Sequence, residues 1–136
     1  MKTYLLIGSS LALLAVVLGA FGAHGILPKV AHIVLEPTRS QPMQVYKTGV
    51  EYQFYHALAI VLSALLFKFQ PEKQFLTANF CFLLGTIIFS GSLYTITLGY
   101  AFNKPLTWLG AITPIGGLLF ITGWIFFIIG CTKFKF

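Results

Sequence analysis

Four long apolar runs, separated by stretches that hold prolines and most of the charged residues, constrain this chain more than any other feature. The first run, Thr3 to Ala23, carries no charge and is about as long as a helix must be to cross the hydrocarbon core of a bilayer. Only 9% of the 136 residues are charged and 57% are hydrophobic, unlike a soluble globular protein. Because a bilayer offers backbone groups no hydrogen-bond partners, each run is predicted to be helical. The chain is therefore predicted to be an all-α integral membrane protein.

The runs predict one membrane domain over residues 1–136. Turns near Pro71 and near Pro105 are short, so consecutive helices are expected to run antiparallel. The expected fold is an up-down four-helix bundle. The predicted helices cover residues 4–24, 46–67, 75–101 and 107–131.

The first connection, residues 26–45, is predicted to be long because three prolines interrupt it. Within it, Lys29, His32 and Glu36 share one side of a possible short helix, which suits a segment lying on the membrane surface. His32 is most simply a solvated surface residue. In the fourth run, Pro114 cannot donate to a helix ladder and is expected to free the carbonyl of Gly110.

Small residues recur at helical spacing in the first and last predicted helices. Gly19 and Ala23 in the first helix, and Gly116 and Gly123 in the fourth, are predicted helix-packing residues because small side chains let membrane helices approach closely. Whether the fourth helix uses its glycines against this chain or a second subunit stays open. The small residues before His24 also imitate a signal-peptide cleavage site, but their helical spacing favours a retained span.

The net charge of +6 comes from basic residues scattered among the termini and connections. Without a basic stripe, nucleic-acid binding is not expected, and membrane lipids are the expected contacts. Four spans place both termini on one side. Five basic residues then lie on that side and four on the other, which favours cytoplasmic termini. The two groups are Lys2, Lys68, Lys73, Lys133 and Lys135 against Lys29, Arg39, Lys47 and Lys104.

No motif for a metal or a cofactor is present, and none is expected to bind. Cys81 and Cys131 lie in apolar runs without a spacing motif, so they are interpreted as small core residues.

The uncommon polar residues of the spans converge on one side of the membrane when sequence position is converted to depth. Glu51 is the most informative, since ionisable groups inside a membrane are costly and often functional. Its charge state stays open, because it needs a cation or several hydroxyl donors to remain ionised. The predicted polar network or ligand site consists of His24, Glu51, Tyr52, His56, Ser90, Ser92, Tyr94 and Thr113.

Several of these residues stand in motifs that resemble domain-of-unknown-function family 423. The match runs in order through nearly the whole chain. The resemblance implies a small four-helix membrane protein, in bacteria a protein of the cytoplasmic membrane, and it implies no activity. The matching motifs are Gly19 to His24, Gly49 to His56, Phe89 to Tyr94, and Ile112 to Gly117 followed by Gly123-Trp124.

Three classes of function fit these residues. The favoured one is a non-enzymatic structural or interaction protein with a buried polar network, acting as a homo-oligomer or with a larger membrane partner. The alternative is binding or passage of a small molecule, proton, ion or lipid through a site lined by His24, Glu51 and His56. An intramembrane enzyme is the least favoured, since neither a His-Glu-x-x-His nor a Gly-x-Ser-x-Gly motif occurs.

Overall fold

The computed structural model describes residues 1–26, 41–102, 104 and 106–134, and every regular element in these ranges is helical. The α-helices are α1 (Lys2–Phe21), α2 (Gln41–Phe69), α3 (Lys73–Ala101) and α4 (Thr113–Thr132). A π-helical turn, Gly22–Ile26, extends α1, and a 3₁₀ turn, Thr107–Ala111, precedes α4. The segment predicted to lie on the membrane surface, with Lys29, His32 and Glu36, falls outside the described residues.

Four helical segments are long and apolar enough to cross a membrane, namely Lys2–Gly25, Pro42–Phe69, Lys73–Ala101 and Thr107–Thr132. The predicted all-α membrane fold with four spans is therefore confirmed. Its main helix interfaces follow chain order, α1 on α2, α2 on α3 and α3 on α4. The core lies where α2, α3 and α4 meet, around Ala59, Ile60, Ala78, Phe82 and Phe120.

Two helix starts differ from the sequence-based expectation. Helix α2 begins at Gln41, about a turn before residue 46, because Pro42 lies in its first turn, where a proline costs no backbone hydrogen bond. Helix α4 begins at Thr113, so Pro114 also lies in a first turn. Pro114 therefore lies at the start of a helix and not one to two turns inside a continuous one, because a 3₁₀ turn precedes α4.

Glycines on α4 face phenylalanines on α3 along the whole interface. Both sets repeat every seven residues, and because the helices are antiparallel, each glycine meets one aromatic residue. The pairs are Gly116 with Phe89, Gly123 with Phe82, and Gly130 with Phe75. A Cβ atom added to Gly116 would lie 2.6 Å from the Phe89 backbone nitrogen. The α4 glycine repeat therefore packs within the chain.

Small residues also bring α1 onto α2. A Cβ atom added to Gly8 would lie 2.8 Å from the Val61 side chain and 2.9 Å from the Ala57 carbonyl oxygen. Gly19 faces Val50 further along the same interface. The close approach places the backbone carbonyls of α1 within reach of polar side chains on α2.

Candidate functional site

Gln53 is buried near the middle of the bundle and hydrogen-bonds to two neighbouring helices. Its side chain is only 3% exposed. The Nε2 group donates to the Leu11 carbonyl of α1 at 2.9 Å, and the Oε1 atom accepts from the Tyr94 hydroxyl of α3 at 2.9 Å. Gln53 thereby uses both ends of its amide to connect three helices.

Two further bonds anchor the first turns of α2. The Tyr46 hydroxyl donates to the Leu18 carbonyl of α1 at 2.7 Å, and the Thr97 hydroxyl of α3 donates to the Pro42 carbonyl at 3.2 Å. Tyr46 also packs against Tyr94, with ring centroids 5.3 Å apart. The end of α2 nearest Gln41 is therefore held on both sides.

His56 lies fourteen residues after Pro42 and thirteen before Phe69, at the middle of its span. Its Nδ1 lies 2.8 Å from the Tyr52 carbonyl, which can only accept, so Nδ1 carries the proton. Nε2 then accepts from the Trp124 indole N–H of α4 at 3.3 Å. The ring also stacks on Phe120 with centroids 3.5 Å apart. Both nitrogens are used inside the protein, which leaves the neutral ring no lone pair for a metal or a substrate proton.

The remaining predicted polar residues are distributed over separate contacts. The Ser92 and Thr113 hydroxyl oxygens, on α3 and α4, are 2.7 Å apart. Ser90 is buried, and its hydroxyl has no partner within the described ranges. The Tyr52 ring stacks on Phe89 at 4.8 Å and is partly exposed.

Glu51 has a different environment, although it is only two residues from Gln53. Its side chain is exposed, and it forms no hydrogen bond or ion pair with any residue in the described part of the chain. It lies ten residues, or about 15 Å, along α2 from Gln41, well below the helix end. Glu51 lies within the candidate membrane span Pro42–Phe69, where an exposed carboxylate without a partner is costly.

The surface around Glu51 is a groove between α1 and α2. It consists of two adjoining cavities of about 170 and 560 Å³, which share Gly19, Val50 and Glu51. Lys47, one turn before Glu51, lines the smaller cavity. We call this surface the Glu51 groove. Its α1 side is lined by Val16 and by five small residues, namely Ala15, Gly19, Ala20, Gly22 and Ala23.

The structure does not join His24, Glu51 and His56 into one site. His24 is exposed on the π-helical turn after α1 and bonds to no described residue. Glu51 and His56 are five residues apart, about 140° around the helix, so one side chain faces the groove beside α1 and the other faces α4. The expectation that these three share hydrogen-bond partners therefore needs correction.

Gln53, Tyr46 and Trp124 bond to neighbouring helices but were not among the predicted site residues. Gln53 could have been found, because an uncharged polar side chain in an apolar run usually bonds to another helix. Tyr46 could not, since it fell at the predicted helix start. Among the described residues, no group of three or more His, Cys, Asp or Glu side chains is arranged to hold a metal ion.

Residues 18–117 match the family model described as "Protein of unknown function (DUF423)". The chain is 38% identical over 135 residues to the UPF0382 membrane protein YwdK of Bacillus subtilis, covering 98% of this chain and 99% of that relative. It is 37% identical to a UPF0382 membrane protein of Staphylococcus haemolyticus, covering 98% of each chain. It is also 36% identical to the UPF0382 inner membrane protein YgdD of Escherichia coli, covering 88% of this chain and 82% of the relative. No solved structure matches.

Proposed function

The chain belongs to DUF423, a family of membrane proteins of unknown function, and we propose that it is a non-enzymatic interaction protein that receives a helix of a second protein molecule in the Glu51 groove. One contrast carries this proposal. Gln53, Tyr94 and His56 are bonded within the bundle, whereas Glu51 is exposed at membrane depth without a partner in the described ranges.

Two physical arguments support a helix as the occupant. Apart from Val16, the α1 side of the groove is formed by glycine and alanine, which allow two helix backbones to approach closely. A basic or hydrogen-bonding side chain on the incoming helix would remove the cost of exposing a carboxylate to lipid. The hydrogen bonds from Tyr46 and Gln53 of α2 to backbone carbonyls of α1 hold the two helices together, so the groove between them is already formed before a partner binds.

The proposed location is the cytoplasmic membrane, with both termini on the cytoplasmic side. The Escherichia coli relative is named an inner membrane protein. The small excess of basic residues on the side of the termini agrees with this orientation. The Glu51 groove would then open in the leaflet away from the cytoplasm.

Passage or catalysis through a shared His24, Glu51 and His56 site has less support. The three side chains point to different surfaces, and both His56 nitrogens already have partners. Binding of a lipid or small cation by Glu51 alone remains a distinct alternative, and the test below separates it from a protein partner.

The test is photo-crosslinking in cells that naturally produce the protein. A photoreactive amino acid replaces Ala20 on the α1 side of the groove or, as a control, Ile125 on the exposed surface of α4. We expect protein adducts at position 20 that decrease at least severalfold when Glu51 is changed to Gln. Adducts with lipid alone, or protein adducts that do not depend on Glu51, would overturn the proposal.

A further inference from the structure

The charges that line the Glu51 groove have an arrangement that selects a particular partner. Lys47 and Glu51 are exposed, carry opposite charge and are one helical turn apart on the same surface of α2. Neither forms an ion pair within the described part of the chain. One exposed face of a single helix therefore presents one cation and one anion.

The order of the two residues disfavours a bond between them. In a helix, a glutamate four residues before a lysine pairs better than the reverse order, and here the lysine comes first. Both groups are thus available to an incoming surface. That surface has to offer an acceptor near Lys47 and a cation near Glu51.

A second copy of the same face meets this requirement. In a two-fold symmetric interface, residue i of one copy contacts residue j of the other, and j contacts i in return. Four residues of helix correspond to about 6 Å of depth, a distance that the long lysine side chain bridges in a parallel pair. We infer that the occupant of the groove is a second copy of this chain, with Lys47 of each copy paired to Glu51 of the other.

The close approach that such a pair needs is present beside the two charges. Gly19, Ala20 and Ala23 line the α1 side and let a second helix approach closely, and Val16, which is 60% exposed, adds a larger apolar side chain to the same side. Tyr55 is 57% exposed one turn beyond Glu51 and adds apolar area to the same surface. In the dimer, each Glu51 carboxylate forms an ion pair instead of facing lipid. Because an unpaired carboxylate in a membrane span costs free energy, this pairing favours the dimer. This inference rests on the proposed function, because it names the partner of the same groove.

The test measures energy transfer between donor-labelled and acceptor-labelled copies of the full-length protein in liposomes diluted with lipid. The wild-type protein should show a transfer signal that falls on dilution as a dimer dissociates. Glu51→Lys and Lys47→Glu, each measured alone, place like charges opposite each other and should remove the signal. Mixing the two variants restores opposite charges across the interface and should restore the signal.

Helix content and thermal melting of each variant show whether it is folded. If a charge-reversal variant does not fold, Glu51→Gln decides the question. This change should lower the association constant of the dimer by roughly tenfold or more, as expected for the loss of two partly desolvated ion pairs. Ile125→Ala, a change on the exposed surface of α4 away from the groove, should leave that constant unchanged.

Three results would show that the partner is not a second copy of the chain. They are a wild-type protein that stays monomeric, a mixture of the two folded charge-reversal variants that fails to associate, and a dimer association constant that Glu51→Gln does not change. Crosslinking from position 20 distinguishes this failure from failure of the proposed function. Glu51-dependent adducts with a different protein leave the interaction function standing without the dimer. Adducts with lipid alone reject both.

Discussion

Gln53 hydrogen-bonds to two neighbouring helices at once, and its neighbour Glu51 bonds to none in the described ranges. Two residues of helix separate them by about 200°, so one side chain enters the bundle and the other leaves it. A buried amide with both ends bonded adds stability and holds one helix register. An exposed carboxylate within a membrane span is costly, and this contrast is the basis of the proposed interaction at the Glu51 groove.

Replacing Gln53 with Leu should destabilise the bundle by about 1–3 kcal/mol, because two interhelical bonds are lost and the partly buried Tyr94 hydroxyl loses its acceptor. The free energy of unfolding can be measured by titration with a denaturing detergent. The control is Gln44→Leu, which removes an exposed amide from the same helix and should change stability by less than about 0.5 kcal/mol. Equal effects of the two changes would show that the Gln53 bonds add no stability.

At the scale of helices, α3 and α4 are joined by matching seven-residue repeats. The glycines at 116, 123 and 130 accept the phenylalanines at 89, 82 and 75, and Gly85 accepts Phe120 in the opposite direction. A repeat of seven suits helices that cross at a small angle, as in left-handed bundles. Because each aromatic ring occupies the space a Cβ atom would need, the interface depends on residue size more than on polarity.

Adjacent glycines on α4 provide a matched test of this interface. Gly116→Ala should destabilise the protein by about 1–3 kcal/mol, since its Cβ atom would lie 2.6 Å from backbone that cannot easily move. Gly117→Ala should be neutral or stabilise by up to about 1 kcal/mol, because its nearest neighbour is 3.9 Å away and alanine favours helix. Both values come from the same detergent titration. Equal free energies of unfolding for the two variants would contradict the close packing of Gly116 against α3.

For the whole molecule, the main interfaces follow chain order, so α1 and α4 lie at the two outer edges. This leaves much of α1 exposed, including Leu13 and Val16. A lipid bilayer covers such a surface without further explanation, since apolar side chains are as well solvated by lipid tails as by protein. The Glu51 groove differs from the rest of that edge because it carries two charged side chains, Lys47 and Glu51.

Four spans require both ends of the chain to lie on one side of the membrane. We expect that side to be the cytoplasm. Green fluorescent protein fused to either end should fluoresce, and alkaline phosphatase fused there should be inactive. Fusions inserted in the connection between α1 and α2 should give the opposite results. Ends on opposite sides would contradict the four-span fold, and ends that are both outside would reverse the orientation alone.

Much of the fold was predictable, because the physics of a membrane span is local. An apolar run of sufficient length must be helical in lipid, and clusters of prolines and charged residues indicate the connections between such runs. The start of α2 was less predictable, since Pro42 is equally compatible with a connection and with a first helical turn. The resemblance in the motifs indicated the correct family, which the relatives confirm.

The sequence alone was sufficient for the four spans and the family, and it drew attention to the polar side chains between Gly49 and His56. It did not determine which of these side chains meet, because depth follows from residue number whereas direction depends on how helices rotate against one another. The phenylalanines of α3 and glycines of α4 set that rotation. Tertiary packing therefore decided that His56 bonds to Trp124, that Gln53 connects three helices, and that Glu51 faces an open groove.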